Sequence, residues 1–246
     1  ANQADGKIID WGLVMTRLQP EQNLGYMLQE GHDVSDHLRK LVTAISEMHQ
    51  RTAPLHQDEP EAHYAAVHAM YSTMITEQMG PAAASADFEL DLDLLIDLNR
   101  RALEACRETI IEHCKAGNVG NHHADLHKDN LWIVEGAAVL LDGIAFNNIF
   151  AVIDRWQDLA YLIADLKNQD RADLAESVLN QYLKEMGDKP NEDMMNLYIA
   201  SRLLVRSFLD LIDLADITGT AERANQIAVI QNGIRLAVKH FRKIVG

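Results

Sequence analysis

The sequence predicts a mainly α protein with a small β component. Three observations carry this. Aromatic residues make up only 6% of the chain and proline occurs 5 times; long stretches are rich in Ala, Leu, Glu and Gln; and only a few short runs have the composition of strands. With 246 residues and 48% hydrophobic side chains the chain can fill a sizeable core, and no internal repeat, low-complexity tract or composition shift demands a boundary within it.

In chain order, residues 8–18 alternate, with Ile9, Trp11, Leu13 and Met15 on one face and Pro20 closing the run, so a strand is predicted. A lone strand cannot satisfy its own backbone hydrogen bonds and needs partners elsewhere. From Asp33 or Ser35 as a cap, Leu38, Leu41, Val42, Ile45 and Met48 recur at helical spacing to His49, with Pro54 at the exit. A second helix is expected over 61–78, a loop over the GPAAASA segment 80–86, and a long third helix over 91–116 ending at Gly117. The apolar runs 131–134 and 138–142 flank the link Glu135-Gly136-Ala137 and predict a β-hairpin. Four further helices are expected near 155–168, 170–187, 191–215 and 219–243.

The net charge of −15 would repel a nucleic-acid backbone or an anionic membrane, so neither is expected as a partner. Such a surface would favour a cationic acceptor, but acidity is first of all an ordinary solubility device. Cys106 and Cys114 lack metal-binding spacing and read as reduced core thiols. The polar opening ANQADGK and the lack of a long apolar run make a cytoplasmic location the default expectation.

The chemistry-bearing segment is His122-His123-Ala124-Asp125-Leu126-His127-Lys128-Asp129-Asn130, followed by the hairpin and Asp142-Gly143. Asp125 and Asn130 have the Asp-to-Asn spacing of a kinase catalytic loop, in which the Asp takes or orients the acceptor hydroxyl and the Asn binds magnesium. A hairpin returns the chain to its start, so Asn130 and Asp142 should lie side by side. Magnesium prefers one or two such oxygen ligands together with phosphate oxygens and water. His127 is grouped with Asp125, its expected work being loop support by hydrogen bonding.

This segment resembles the HGDLHxxN motif, hairpin and following Asp of aminoglycoside phosphotransferase-like and choline-kinase-like enzymes. Phe146-Asn147 through Asp154, and Asp158-Leu159-Ala160-Tyr161-Leu162, look like that family's continuation, and Tyr198, Arg202 and Arg206 resemble a helix of one subgroup, often fused to a P-loop ATPase domain. The resemblance implies a protein-kinase-like C-lobe, with residues 1–20 a residual N-lobe strand and hinge and 21–246 the helical lobe. It implies ATP as co-substrate, Mg²⁺ held by Asn130 and Asp142, and Thr16, Arg17 and Leu18 near the adenine edge. It places most of the N-lobe, with its phosphate-covering loop and lysine, outside this sequence, and no GxxxxGK[ST] motif occurs within it. The chain departs from the family pattern at Ala124, where Gly is usual, at Lys128-Asp129, and at Ala145, where the subgroup commonly has Glu.

Plainer readings stand beside these. Asp125 alone would be a turn aspartate and Asn130 alone a strand start. A zinc site from His122, His123, His127 and Asp125 would need a helix to align the rings, and the segment reads as loop. Asp154 and Asp158 suit capping and scaffolding at a helix start. Arg202, Arg206 and Asp210 form either an ion-pair face or a tie to the catalytic loop. Met15, Met27, Met48, Met70 and Met74 read as packing. A non-catalytic pseudokinase-type binding module and, more weakly, a divalent-metal hydrolase remain open as alternatives to a phosphotransferase.

Overall fold

The computed structural model describes residues 17–144 and 148–246, and these are mostly helical with two small two-stranded antiparallel sheets, as the composition predicts. Residues 8–16 of the expected opening strand, with Thr16, lie outside the described residues. Arg17 and Leu18 do not continue a strand: they run irregularly into a 3-10 turn, Pro20–Gln22, whose proline fixes the turn geometry at its start.

Helix α1 (Leu24–Gln29) begins where Asn23 accepts a hydrogen bond from Tyr26 N, and α2 (Ser35–Arg51) begins where Asp33 binds Ser35 N. The apolar spacing seen in the sequence buries Leu38, Leu41, Val42 and Ile45 of α2. Helix α3 (Pro60–Thr73) runs through a π turn, Met74–Met79, directly into α4 (Gly80–Ser85), so the loop expected over 80–86 is instead helical. Pro81 sits in the first turn of α4, beside a loosened π register, and the alanines after it are the best helix formers. Helix α5 (Leu92–Lys115) ends at Gly117, whose φ of +82° permits the Schellman pair Gly117 N to Cys114 O and Asn118 N to His113 O. Cys106 and Cys114 are buried free thiols on this helix.

Strand β1 (Val119–Asn121) pairs with β4 (Val152–Asp154), while β2 (Leu131–Val134) and β3 (Ala137–Leu140) form the expected hairpin. Its connection is one residue shorter than predicted. Glu135 and Gly136, at φ +50° and +81°, make a tight turn that matches strand twist, and Ala137 already pairs with Val134. Four helices close the chain after the short α6 (Asn148–Ala151): α7 (Arg155–Asn168), α8 (Ala172–Met186), α9 (Glu192–Asp216) and α10 (Thr220–Val245).

The core lies where α9 packs against α10, α7 and α5, with α8 joining α7 to α2 and the hairpin resting on α2. Residues Trp156 to Ala164 of α7 are buried without interruption. A helix buried on all sides should be apolar, so Asp158 in its middle needs full hydrogen-bond compensation. Among the described residues no helix is long and apolar enough to cross a membrane.

Candidate functional site at the open end of the hairpin

The loop from His122 to Asn130 is built upon α7. Asp158, fully buried, accepts hydrogen bonds from His123 N at 3.1 Å and Ala124 N at 2.9 Å, and pairs with His49 Nε2 at 3.1 Å. Burial pushes its carboxyl up, but the His49 hydrogen bond and charge lead the opposing effects and hold it below the ordinary aspartate value. Two turns on along the same helix face, Asp165 accepts from Lys128 N at 2.8 Å. Asp154 caps the helix through Trp156 N at 2.7 Å and binds His113 Nδ1 at 2.9 Å. Asp154 and Asp158 therefore serve as cap and scaffold. With Leu126 buried in the core, the loop is fixed at both ends and in its middle.

On the outer side of the loop, Asp125 keeps 27% of its side chain exposed. One carboxylate oxygen takes a 2.7 Å bond from Arg202 Nη2; the other lies 3.2 Å from Asn130 Nδ2 and 3.4 Å from His127 Nε2. Arg202, on α9, lies with its guanidinium 4.1 Å from the centre of the Tyr161 ring. Burial raises the Asp125 carboxyl, but the His127 hydrogen bond and the Arg202 charge outweigh it and hold it at about 2. Burial also pulls His127 down, and hydrogen bonds to Asp125 and Asp129 lift it to about 9. The His127 ring faces two partners at Asp129: when neutral, Nδ1 accepts from Asp129 N at 3.3 Å, and when charged it donates to the carboxylate at 3.5 Å. Asp129 in turn is held far below the usual carboxylate range by His127, against burial, with help from Lys128.

Asn130 closes the loop. Its Nδ2 donates both to Asp125 O at 3.0 Å and to the Asp125 carboxylate at 3.2 Å, which fixes the amide. Its backbone oxygen accepts from Leu141 N at 2.9 Å, which continues the hairpin ladder and brings Asp142 to the same end. His123 clasps this strand end, because its Nε2 donates to Leu141 O at 2.8 Å and its backbone oxygen accepts from Ile144 N at 2.9 Å. Asp142 is exposed, at φ +59°, and Ala124 across the clasp is at φ +64°. A hard amide oxygen and a carboxylate at one edge suit a magnesium ion with phosphate and water ligands.

Arg17 and Leu18 lie on the same side of the loop, lining a groove with Tyr26, Asp129 and Trp132. It adjoins a cleft of about 410 Å³ between α1 and the loop, bordered by Asn23, Gly25, Lys128 and Asp129. Here α1 approaches closely: a Cβ on Gly25 would sit 2.1 Å from an Asp129 carboxylate oxygen. Asn23 Nδ2 and Trp132 Nε1 both donate to Asp129 O, at 2.8 and 3.0 Å. A larger depression of about 860 Å³ between α2 and α8, lined by Arg39, Thr43 and Glu185 among others, lies away from these groups and has mixed surface charges rather than a convergent set.

The zinc set weighed from sequence is not assembled. His127 and Asp125 are drawn into the outer network, His123 into the clasp, and His122 turns inward to His49 and Asp158, where one ligand atom from each lies within 4.8 Å of the others. The carboxylate there is already consumed by three donors, and burial, reinforced by the neighbouring His49, lowers His122 to about 4, so it remains neutral.

Sequence reasoning missed His49, Asn23 and Asp165. Asp165 carried a usable signal, since it follows Asp158 by two helical turns on one face. His49 and Asn23 act through partners more than a hundred residues away and carried none.

No protein-family model matches the chain. It is 27% identical over 205 residues to uncharacterized proteins of Mycobacterium tuberculosis and Mycobacterium bovis, a stretch that covers 81% of this chain and 40% of each relative. The chain thus matches less than half the length of these relatives.

Proposed function

We propose that the chain is the C-lobe of an aminoglycoside-phosphotransferase-like kinase that transfers the γ-phosphoryl group of ATP to a hydroxyl of a small molecule. The observation that supports this reading is the bonding of Asn130 to Asp125 through its side chain and to Leu141, the neighbour of Asp142, through its backbone, on a loop whose backbone is held by a buried aspartate of the following helix. In this reading Asp125 receives or orients the acceptor hydroxyl, Asn130 and Asp142 hold Mg²⁺, and Arg17 and Leu18 border the nucleotide base. Magnesium supplies neutralisation of phosphate charge. The chain's own residues contribute position: the Arg202 and Asn130 bonds fix the Asp125 carboxylate, and His123 holds the Asp142 segment against the loop. The glycine loop and lysine that grip phosphates in such kinases would come from outside these residues.

Calorimetric titration of ATP, with and without Mg²⁺, into the protein and into Asp142→Ala tests this. Metal-dependent binding that is lost in the variant is expected. Equal binding with and without metal, or no binding even by the longest natural form of the protein, contradicts it. Metal-dependent binding with no transfer to any hydroxyl would instead favour the pseudokinase-type module.

A further inference from the structure

The last turns of α10 are unlike the rest of this acidic chain. Of its 37 acidic residues none falls between Arg223 and Gly246, and Arg235, Lys239 and Lys243 recur at every fourth position along one helix face. Lys167, half-buried at the end of α7, joins them: its Nζ lies 3.4 Å from Nε2 of His240. His240 is 4% exposed, and its Nδ1 lies 2.7 Å from Asn196 Oδ1. An amide oxygen only accepts, so Nδ1 carries the ring proton and Nε2 is the bare acceptor for the Lys167 ammonium.

A partly buried cation ordinarily has a carboxylate beside it. Among the described residues none is paired with Lys167, and the charges that act on Lys167 and His240 are all positive. Burial lowers Lys167, and Lys243 and Lys239 lower it further; burial and these three lysines hold His240 at about 3. Glu192 and Asp193 open α9 one turn before Asn196 but supply no counter-charge here, and Asp193 acts instead on Cys106 of α5. Helix dipoles account for Lys167 and Lys243, which stand in the last turns of their helices, but not for Lys239, a turn earlier.

We infer that Lys167, Lys239 and Lys243, backed by His240, form an anion site that takes a phosphoryl group, either as inorganic phosphate or as the phosphate of a small phosphorylated molecule. Three ammonium groups match a dianion with three acceptor oxygens better than a carboxylate with one charge and two oxygens. The neutral His240 ring holds the Lys167 head in place without adding a charge of its own. The site is distinct from the Asp125 edge and independent of the phosphotransferase reading, because Lys167 stands about 200° around α7 from Asp165, which holds the loop.

The test is an NMR titration of inorganic phosphate into the 246-residue chain without Mg²⁺, beside a titration of sodium chloride at matched ionic strength. Phosphate should shift the His240 ring signals and the amides of Lys239 to Lys243 to saturation, and chloride should not. Lys239→Ala and Lys243→Ala, both at exposed positions, should each weaken this binding about tenfold. Methyl phosphate separates the two sources: binding tighter than that of inorganic phosphate marks a phosphorylated small molecule as the ligand, and weaker binding marks free phosphate. Shifts that chloride reproduces, that never saturate, that both lysine variants retain in full, or that appear only at Asn130 and Asp142 overturn the assignment.

Discussion

Asp158 and Asp125 are both aspartates set beside a histidine and joined to one loop, yet the chain uses them in opposite ways. Asp158 is closed to solvent and bonded to two backbone amides and His49, all within the protein. Asp125 is held on its protein side by Arg202, Asn130 and His127 while part of its side chain still meets solvent. The difference teaches how to separate scaffold from site. Full burial with both carboxylate oxygens bonded inside the protein marks a scaffold, and an incompletely enclosed carboxylate on a fixed loop marks a candidate place for chemistry.

The largest expected effect comes from breaking the inner side. Asp158→Ala strands two buried amides and His49, and should cost about 3–5 kcal/mol in denaturant unfolding. A loss under about 1 kcal/mol would mean that the loop does not depend on α7.

Changing pH loads the two sides differently. His127 has a folded value of about 9 against 6.5, so its contribution to stability is complete below about 6.5 and is lost as pH rises through about 9. His122 has the opposite shift, to about 4, so the unfolded chain takes up its proton first and stability falls as pH drops from 6.5 towards 4. Thermal melts across this range should give a maximum near pH 6.5. His127→Gln should flatten the alkaline side only, and an unchanged alkaline slope would contradict the charged-ring geometry.

Ala124 sits between the two sides in a left-handed conformation that disfavours any Cβ. Ala124→Gly should raise stability by about 1 kcal/mol, measured by chemical denaturation, and a loss would show that the buried methyl matters more than the backbone. The smallest stability effect belongs to the outer edge: Asp142→Ala should shift unfolding by no more than about 0.5 kcal/mol, because the side chain is exposed.

Much of this arrangement was legible in the sequence because its causes are local. The periodicity of Leu38 to Ile45 places a buried helix face, Gly117 ends a helix, and the Glu135-Gly136 pair turns a hairpin that carries Asn130 and Asp142 to one end. Short or locally ambiguous pieces were harder. The three-residue strands Val119–Asn121 and Val152–Asp154 are too brief to show an alternation, and the Gly-Pro start of the GPAAASA segment signals a loop, whereas the π turn before it carries the helix through to its alanines. Long-range partners were beyond reach. The His49–Asp158 pair depends on how two helices meet the loop; the tie of Arg202 to the loop was one of two readings of its helix, and a pattern along one helix cannot choose the partner residue.

In the phosphotransferase reading proposed above, a metal-nucleotide complex binds at the outer edge and not at the buried cluster beneath it. Paramagnetic broadening by Mn²⁺-ATP, read on assigned NMR signals, tests it most directly. The Asn130 side-chain amide and the Asp142 backbone amide should broaden first, with the Asp125 amide close behind, and the His49 ring signals should broaden least. Early broadening of the His49 and His122 signals, or equal broadening over the acidic surface, would contradict it.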